Sequence, residues 1–157
     1  MFNIGDYVFS TRFGIGFIKE KKDNLFSVKY TDGETVENEI DLFKVSDDII
    51  SQLVNNRFED FFSINSINKG REYYLESKVL DLIVVDRNIS ANVKGNFNYS
   101  LSLMVSKNSI RGKCSCPVGT MCKHCAATLY LLKDQYDKLS NSLSDNNLNT
   151  NYKEIID

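Results

Sequence analysis

The chain of 157 residues has no tryptophan, one proline, one histidine and four cysteines. No apolar run approaches the roughly 20 residues that a membrane helix needs. The start, "MFNIGDYVFS", has neither the basic opening nor the long apolar stretch of a secretory leader. A cytoplasmic setting is therefore expected, where thiols stay reduced and a tight cysteine cluster reads as metal ligands rather than disulfides. No G-x-x-x-x-G-K-S/T occurs, so no ATPase motor is encoded in this stretch. Gly14-x-Gly16 lacks the third glycine of a dinucleotide loop and reads as a tight strand turn. The carboxylate pairs Glu59-Asp60 and Asp47-Asp48 sit beside helical segments, as solvated or capping groups. No catalytic constellation results, and the chain is not expected to be an enzyme. There is no internal repeat.

Acidic residues are missing from one long window. Residues 87–133 carry seven basic groups and no Asp or Glu over 47 positions. The flanking segments are acidic: residues 1–50 have a net charge of −4, residues 51–86 of −2 and residues 134–157 of −3. Inside the basic window lie all four cysteines and the histidine, in "KCSCPVGTMCKHC".

What remains is rich in strand signals. Eighteen Phe and Tyr residues supply the bulky core groups. "DYVFS", "GIGFIKEKK", "LFSVKYT", "ETVENEI" and "LFKV" read as five short strands, with turns at "KDN" and at Asp32-Gly33. That density predicts a small all-β barrel over residues 1–45. Ser46 then reads as a helix N-cap with Asp47 and Asp48 in the first turn, where the helix dipole favours carboxylates. Ile49, Ile50, Leu53 and Val54 repeat at helical spacing. This predicts a linking helix within 46–64, either joining two domains or packed on the barrel. "KVLDLIVVD", "ISANVKG", "YSLSLMVS" and "SIRGKCS" predict an antiparallel meander, and Ala126, Leu129, Leu132 and Tyr136 form one stripe of a following helix. The second domain is placed at 65–139. Residues 140–157, mostly Ser, Asn, Asp and Thr, read as a flexible tail. The expected fold class is α+β.

The cluster spacing is Cys114-x-Cys116, five residues, then Cys122-x-His124-Cys125. Cys114 and Cys116 leave a strand end as a knuckle, Pro117 and Gly119 bend the chain back, and Cys122 and His124 stand at the first turn of a helix. Four soft or borderline donors in a closed set fit structural zinc, with no open position for a catalytic water. Five candidates compete for four places. Cys125 heads the apolar stripe and reads as core; its ligation in place of His124 is the alternative.

These residues resemble a SWIM zinc finger: C-x-C, then C-x-H, with Pro after the second cysteine and "CKH-x-A" at the end. The likeness extends upstream through "KGREYYLESKVLDL" and "ISANVKG", over about residues 66–133. It implies that Cys114, Cys116, Cys122 and His124 bind Zn²⁺, in a module that binds DNA or proteins beside helicase-like ATPases. Cys125 departs from the pattern, where an aliphatic residue is usual. The segment "IGDYVFSTRFGIGFIKEKKDNLFSVKYTDG" resembles the Tudor-like barrels of CarD-type proteins, of the UvrD carboxyl end and of the RapA amino end. That likeness implies contact with RNA polymerase.

Two functions follow as expectations. In the first, the chain binds DNA or RNA, with Lys107, Arg111, Lys113 and Lys123 forming one basic patch beside the knuckle and Phe97 and Tyr99 adding stacking. In the second, it is a protein adaptor docking on RNA polymerase or a remodeller-type ATPase. A piece of a split helicase is a third. Neither a membrane nor a small-molecule substrate is expected.

Overall fold

In a computed structural model, which describes residues 1–156 and their side chains over 1–144, the fold is α+β with mostly antiparallel sheets. Five strands come first: β1 (Tyr7–Ser10), β2 (Gly14–Lys22), β3 (Leu25–Tyr30), β4 (Gly33–Asn38) and β5 (Phe43–Lys44). Their order is β4-β3-β2-β1-β5, so the meander returns its last strand beside its first. Alternation puts Val8, Ile18, Phe26, Val28 and Tyr30 into a small core with Phe2 and Leu42. The β3–β4 hairpin turns one residue earlier than Asp32-Gly33 predicts. Gly33 already pairs with Tyr30, so Thr31 and Asp32 make the turn.

Ser46 caps α1 (Asp47–Leu53) by accepting the Asp48 N–H at 3.1 Å. The helix does link the two halves, but it rests on the second sheet. Ile49 and Leu53 are buried in the main core, and the Gln52 side chain donates to the carbonyls of Ser106 (3.0 Å) and Lys107 (2.8 Å). Irregular turns over Val54–Phe61 follow, kinked at Asn55 and Asn56 with φ of 57° and 55°. Asparagine tolerates this left-handed region better than most residues.

A helix then appears over a stretch to which the sequence reading gives no element: α2 (Ile64–Leu75), capped by Ser63 through the Ser66 N–H. The second sheet is a meander of β6 (Val79–Val85), β7 (Asn88–Lys94), β8 (Asn98–Ser106) and β9 (Ser109–Cys114), in that spatial order. Its inner face, Ile89, Ala91 and Val93 of β7 and Leu101, Leu103 and Val105 of β8, packs beneath α3 (Lys123–Ile156).

α3 is the element on which the others converge. Ala126, Leu129, Leu132 and Leu139 are buried along it, with Tyr136 packed partly exposed. The tail expected over 140–157 begins within this helix. Leu143 still packs on the core, and the remainder of that expectation falls on residues 145–157, outside the described side chains. Gln135 reaches the first sheet, its Oε1 accepting the Ile15 N–H at 3.2 Å. The Tyr130 hydroxyl donates to Glu59 at 2.6 Å, and Arg71 lies 3.7 Å from the same carboxylate. Burial, then the Glu59 hydrogen bond, pushes the Tyr130 phenol up to about 12, so it remains a donor at neutral pH. The sheets are also joined directly, the Asp86 N–H donating to Lys44 O at 2.6 Å and the Ser46 N–H to Asp86 O at 2.9 Å. Among the described residues, no helix is long and apolar enough to cross a membrane.

The α2–α3 crossing depends on a glycine. A methyl on Gly70 would come within 2.6 Å of the Ala126 Cβ and 2.9 Å of the Lys123 carbonyl. Gly to Ala inside a helix normally gains about 1 kcal/mol. Here overpacking should reverse the sign, so Gly70→Ala should lose about 1–3 kcal/mol in a denaturant titration. A more stable variant would refute the close crossing.

Candidate metal centre

The centre is assembled where β9 ends and α3 begins. Along β9, Ile110, Gly112 and Cys114 turn inward, while Ser109, Arg111 and Lys113 turn out. The pleat therefore delivers Cys114 to the helix side. The loop from Ser115 to Met121 returns through Gly119, whose φ of 83° suits a residue without a Cβ. The Cys114 N–H donates to Gly119 O at 2.9 Å, closing the knuckle. Cys122 and His124 then fall at the start of α3.

The donor atoms of Cys114, Cys116, Cys122 and His124 all lie within 4.8 Å of one another. His124 Nδ1 is 3.6 Å from both the Cys114 and the Cys122 sulfur. A tetrahedral ion bonded at about 2.3 Å to sulfur and 2.05 Å to nitrogen spaces such a pair by about 3.6 Å. The arrangement thus fits a metal ion held by three sulfurs and one nitrogen. Of the five candidates in the motif, Cys125 is the one outside this group.

Cys125 has a different environment. It is fully buried among core residues, and its Sγ lies 3.8 Å from the Cys122 Sγ, within hydrogen-bonding reach. Its ring of neighbours includes Gly112, where a Cβ would come within 3.0 Å of the Cys125 sulfur. That hydrogen bond is the main influence holding the Cys122 thiol far below its ordinary range, with support from His124 and backbone N–H groups. The same bond, then burial, pushes Cys125 up. Burial also pushes Cys114 up to about 12. Cys125 thus lies behind Cys122, outside the group of four donor atoms.

Two aromatic rings hold the imidazole. Tyr99 stacks on His124 with centroids 4.6 Å apart, and Tyr73 meets it edge-on at 5.3 Å. Tyr73 comes from α2, so the cluster's own motif gives no sign of this wall. A cavity of about 330 Å³ opens beside the rings, lined in part by Lys69, Lys123 and His124.

The four basic residues do not form one patch. Arg111 and Lys113 share the outer face of β9, opposite Met104 and Ser102 of β8. Lys107 lies in the β8–β9 turn, at the far end of β9 from the cysteines. Lys123 is on the helix side, its Nζ 5.1 Å from the centre of the Tyr73 ring. Lys113 and Lys123 flank ligands in sequence, but the pleat sends Lys113 outward where Cys114 turns inward, so the metal does not hold the two cations together. Compared with known proteins, the chain matches no family model, no curated protein and no solved structure.

The quartet makes unequal demands on its neighbours. His124→Ala should lose the bound metal or weaken it greatly, whereas Cys125→Ala should keep one equivalent per chain, at a stability cost of about 1–2 kcal/mol for the small cavity. Elemental analysis of the purified variants reads the first effect and denaturation the second. Metal released by Cys125→Ala but retained by His124→Ala would put Cys125 in the quartet in place of His124.

Proposed function

We propose that the chain is a non-enzymatic zinc-binding module that binds nucleic acid and brings it to a transcription or helicase machine. The observation that carries this reading is the closed three-cysteine, one-histidine quartet set within an acid-free basic window. Such a donor set favours Zn²⁺, whose four-ligand sites stabilise folds and leave no place for a reacting water. When bound, the ion would fix β9, the knuckle and α3 to one another. The resemblance of the same residues to a SWIM finger points in this direction. The return of β5 beside β1 is compatible with a Tudor-like barrel at the amino end.

The outer face of the second sheet supplies a contact surface. In register across β7, β8 and β9 lie Asn88, Met104 and Arg111, then Ser90, Ser102 and Lys113. These rows contain hydroxyls, an amide and two cations, and no carboxylate. Phosphates met by such cations release counterions, so binding would be salt-dependent and tolerant of sequence. The quartet with three thiolates, a neutral imidazole and a divalent ion carries about one net negative charge, which Lys113 and Lys123 on either side offset.

An adaptor reading is favoured by one feature of the first sheet. β4 is an edge strand, and Val36 and the nearby Ile40 are 67% and 85% exposed. An open edge with exposed apolar groups suits strand addition by a protein partner, such as RNA polymerase or a remodeller-type ATPase.

A salt titration separates the two. Binding of single- and double-stranded DNA and RNA should weaken linearly in log–log form as salt rises. Arg111→Ala with Lys113→Ala should lower affinity for all sequences alike and flatten the slope by about one unit for each phosphate that is no longer neutralised. Absence of measurable affinity even at low salt would defeat the nucleic-acid reading and leave the adaptor.

A further inference from the structure

The cavity beside the metal centre has features that metal binding does not use. Its volume is about 330 Å³, and it lies among the first turns of α2 and α3, the β7–β8 turn and the knuckle loop. Lys69 and Lys123 are the cations of its lining, which holds no carboxylate and also includes Cys116 and Cys122 of the quartet. The two lysines give it cationic groups able to meet an anion.

His124 also belongs to the wall. It is only 3% exposed, and its Nε2 has no hydrogen-bond partner among the described residues. Nδ1 is the ring atom turned to the sulfurs. Nε2 itself is buried, so His124 gives the cavity ring surface and not an open donor.

The rest of the wall is wrong for a bare inorganic anion. Tyr99, Pro117 and Val118 give it apolar surface, and the Asn65 and Asn96 side chains give amide groups able to meet a base edge. Tyr99 is pinned in place by its stack on His124. Phe97, 73% exposed, stands edge-on to Tyr99 with centroids 6.4 Å apart. The volume leaves room for a sugar and base beyond the phosphate.

We propose that this cavity takes one nucleotide unit of a bound single strand, its phosphate between Lys69 and Lys123 and its sugar and base against Tyr99, Pro117 and Val118. The proposal rests on the nucleic-acid reading above and narrows it to unpaired strands, because a base inside a duplex would have to leave its stack to enter. It also gives the helix-side cation Lys123 a task separate from that of Arg111 and Lys113.

The test uses the full, zinc-loaded chain and a short fluorescein-labelled oligothymidylate, followed by anisotropy. Lys69→Glu and Asn96→Asp change exposed residues outside the quartet, so metal content should stay at one per chain. Each should weaken binding roughly fivefold or more at low salt. Thymidine 5′-monophosphate should compete for the intact protein, and inorganic phosphate at the same concentration should not. If the intact protein binds the oligonucleotide but both variants bind it equally well, or the mononucleotide fails to compete, the cavity is not the site although the wider reading stands. Equal competition by inorganic phosphate would overturn the nucleotide as occupant. No binding of the oligonucleotide by the intact protein would remove the nucleic-acid reading itself.

Discussion

The convergence of three sulfurs and an imidazole nitrogen is the constraint on which the arrangement rests. Donor atoms within 4.8 Å of one another, largely removed from water, repel as thiolates unless a cation lies between them. Satisfying them fixes the end of β9, the knuckle and the first turn of α3 as a unit. From that anchored turn, α3 extends along the inner face of the second sheet, crosses α2 at Gly70 and reaches the first sheet through Gln135. The position of the helix start therefore propagates into each of these contacts. A shift of one residue there would rotate the buried stripe Ala126–Leu129–Leu132 by about 100° and break all three.

Much of this is legible in the sequence, for reasons that differ by element. The strands show themselves by period-two alternation, and the quartet by soft donors confined to eleven positions. The Asp32-Gly33 turn is misplaced by one residue because a favoured dipeptide signals a turn without fixing which pair occupies its corners. α2 escapes the sequence reading altogether. Its sequence, "INSINKGREYYL", combines Asn, Ser, a mid-helix Gly and adjacent tyrosines, all poor or indifferent helix formers. Tertiary contact overrides that preference, since Gly70 is what lets α3 approach. The readable signal is Ser63 as a cap, followed by Ile67, Gly70 and Tyr74 at helical spacing.

The divided basic patch has a cause different from that of the missed helix. Sequence proximity places Lys113 and Lys123 beside the same metal ligands, but side-chain direction separates them. A strand alternates its faces, and the residue next to an inward cysteine must point out. Reading the patch as single ignores this alternation. Without α2, Lys69 and Tyr73 also go unnoticed, although they place Lys123 in a second electropositive setting with its own aromatic neighbours.

The bond from Ile15 to Gln135 spans 120 positions. The first sheet holds a core of its own, built from Phe2 to Leu42, and can condense as soon as that length has left the ribosome. The larger core cannot, because it unites Phe9 and Ile15 with Leu132 and Leu139. Until α3 is in place, the flank of the first sheet that carries Phe9 and Ile15 stays uncovered. Loop closure on that scale is slow compared with local hairpin formation. Residues 1–50 carry a net charge of −4, so copies of the chain with that flank still open would repel one another.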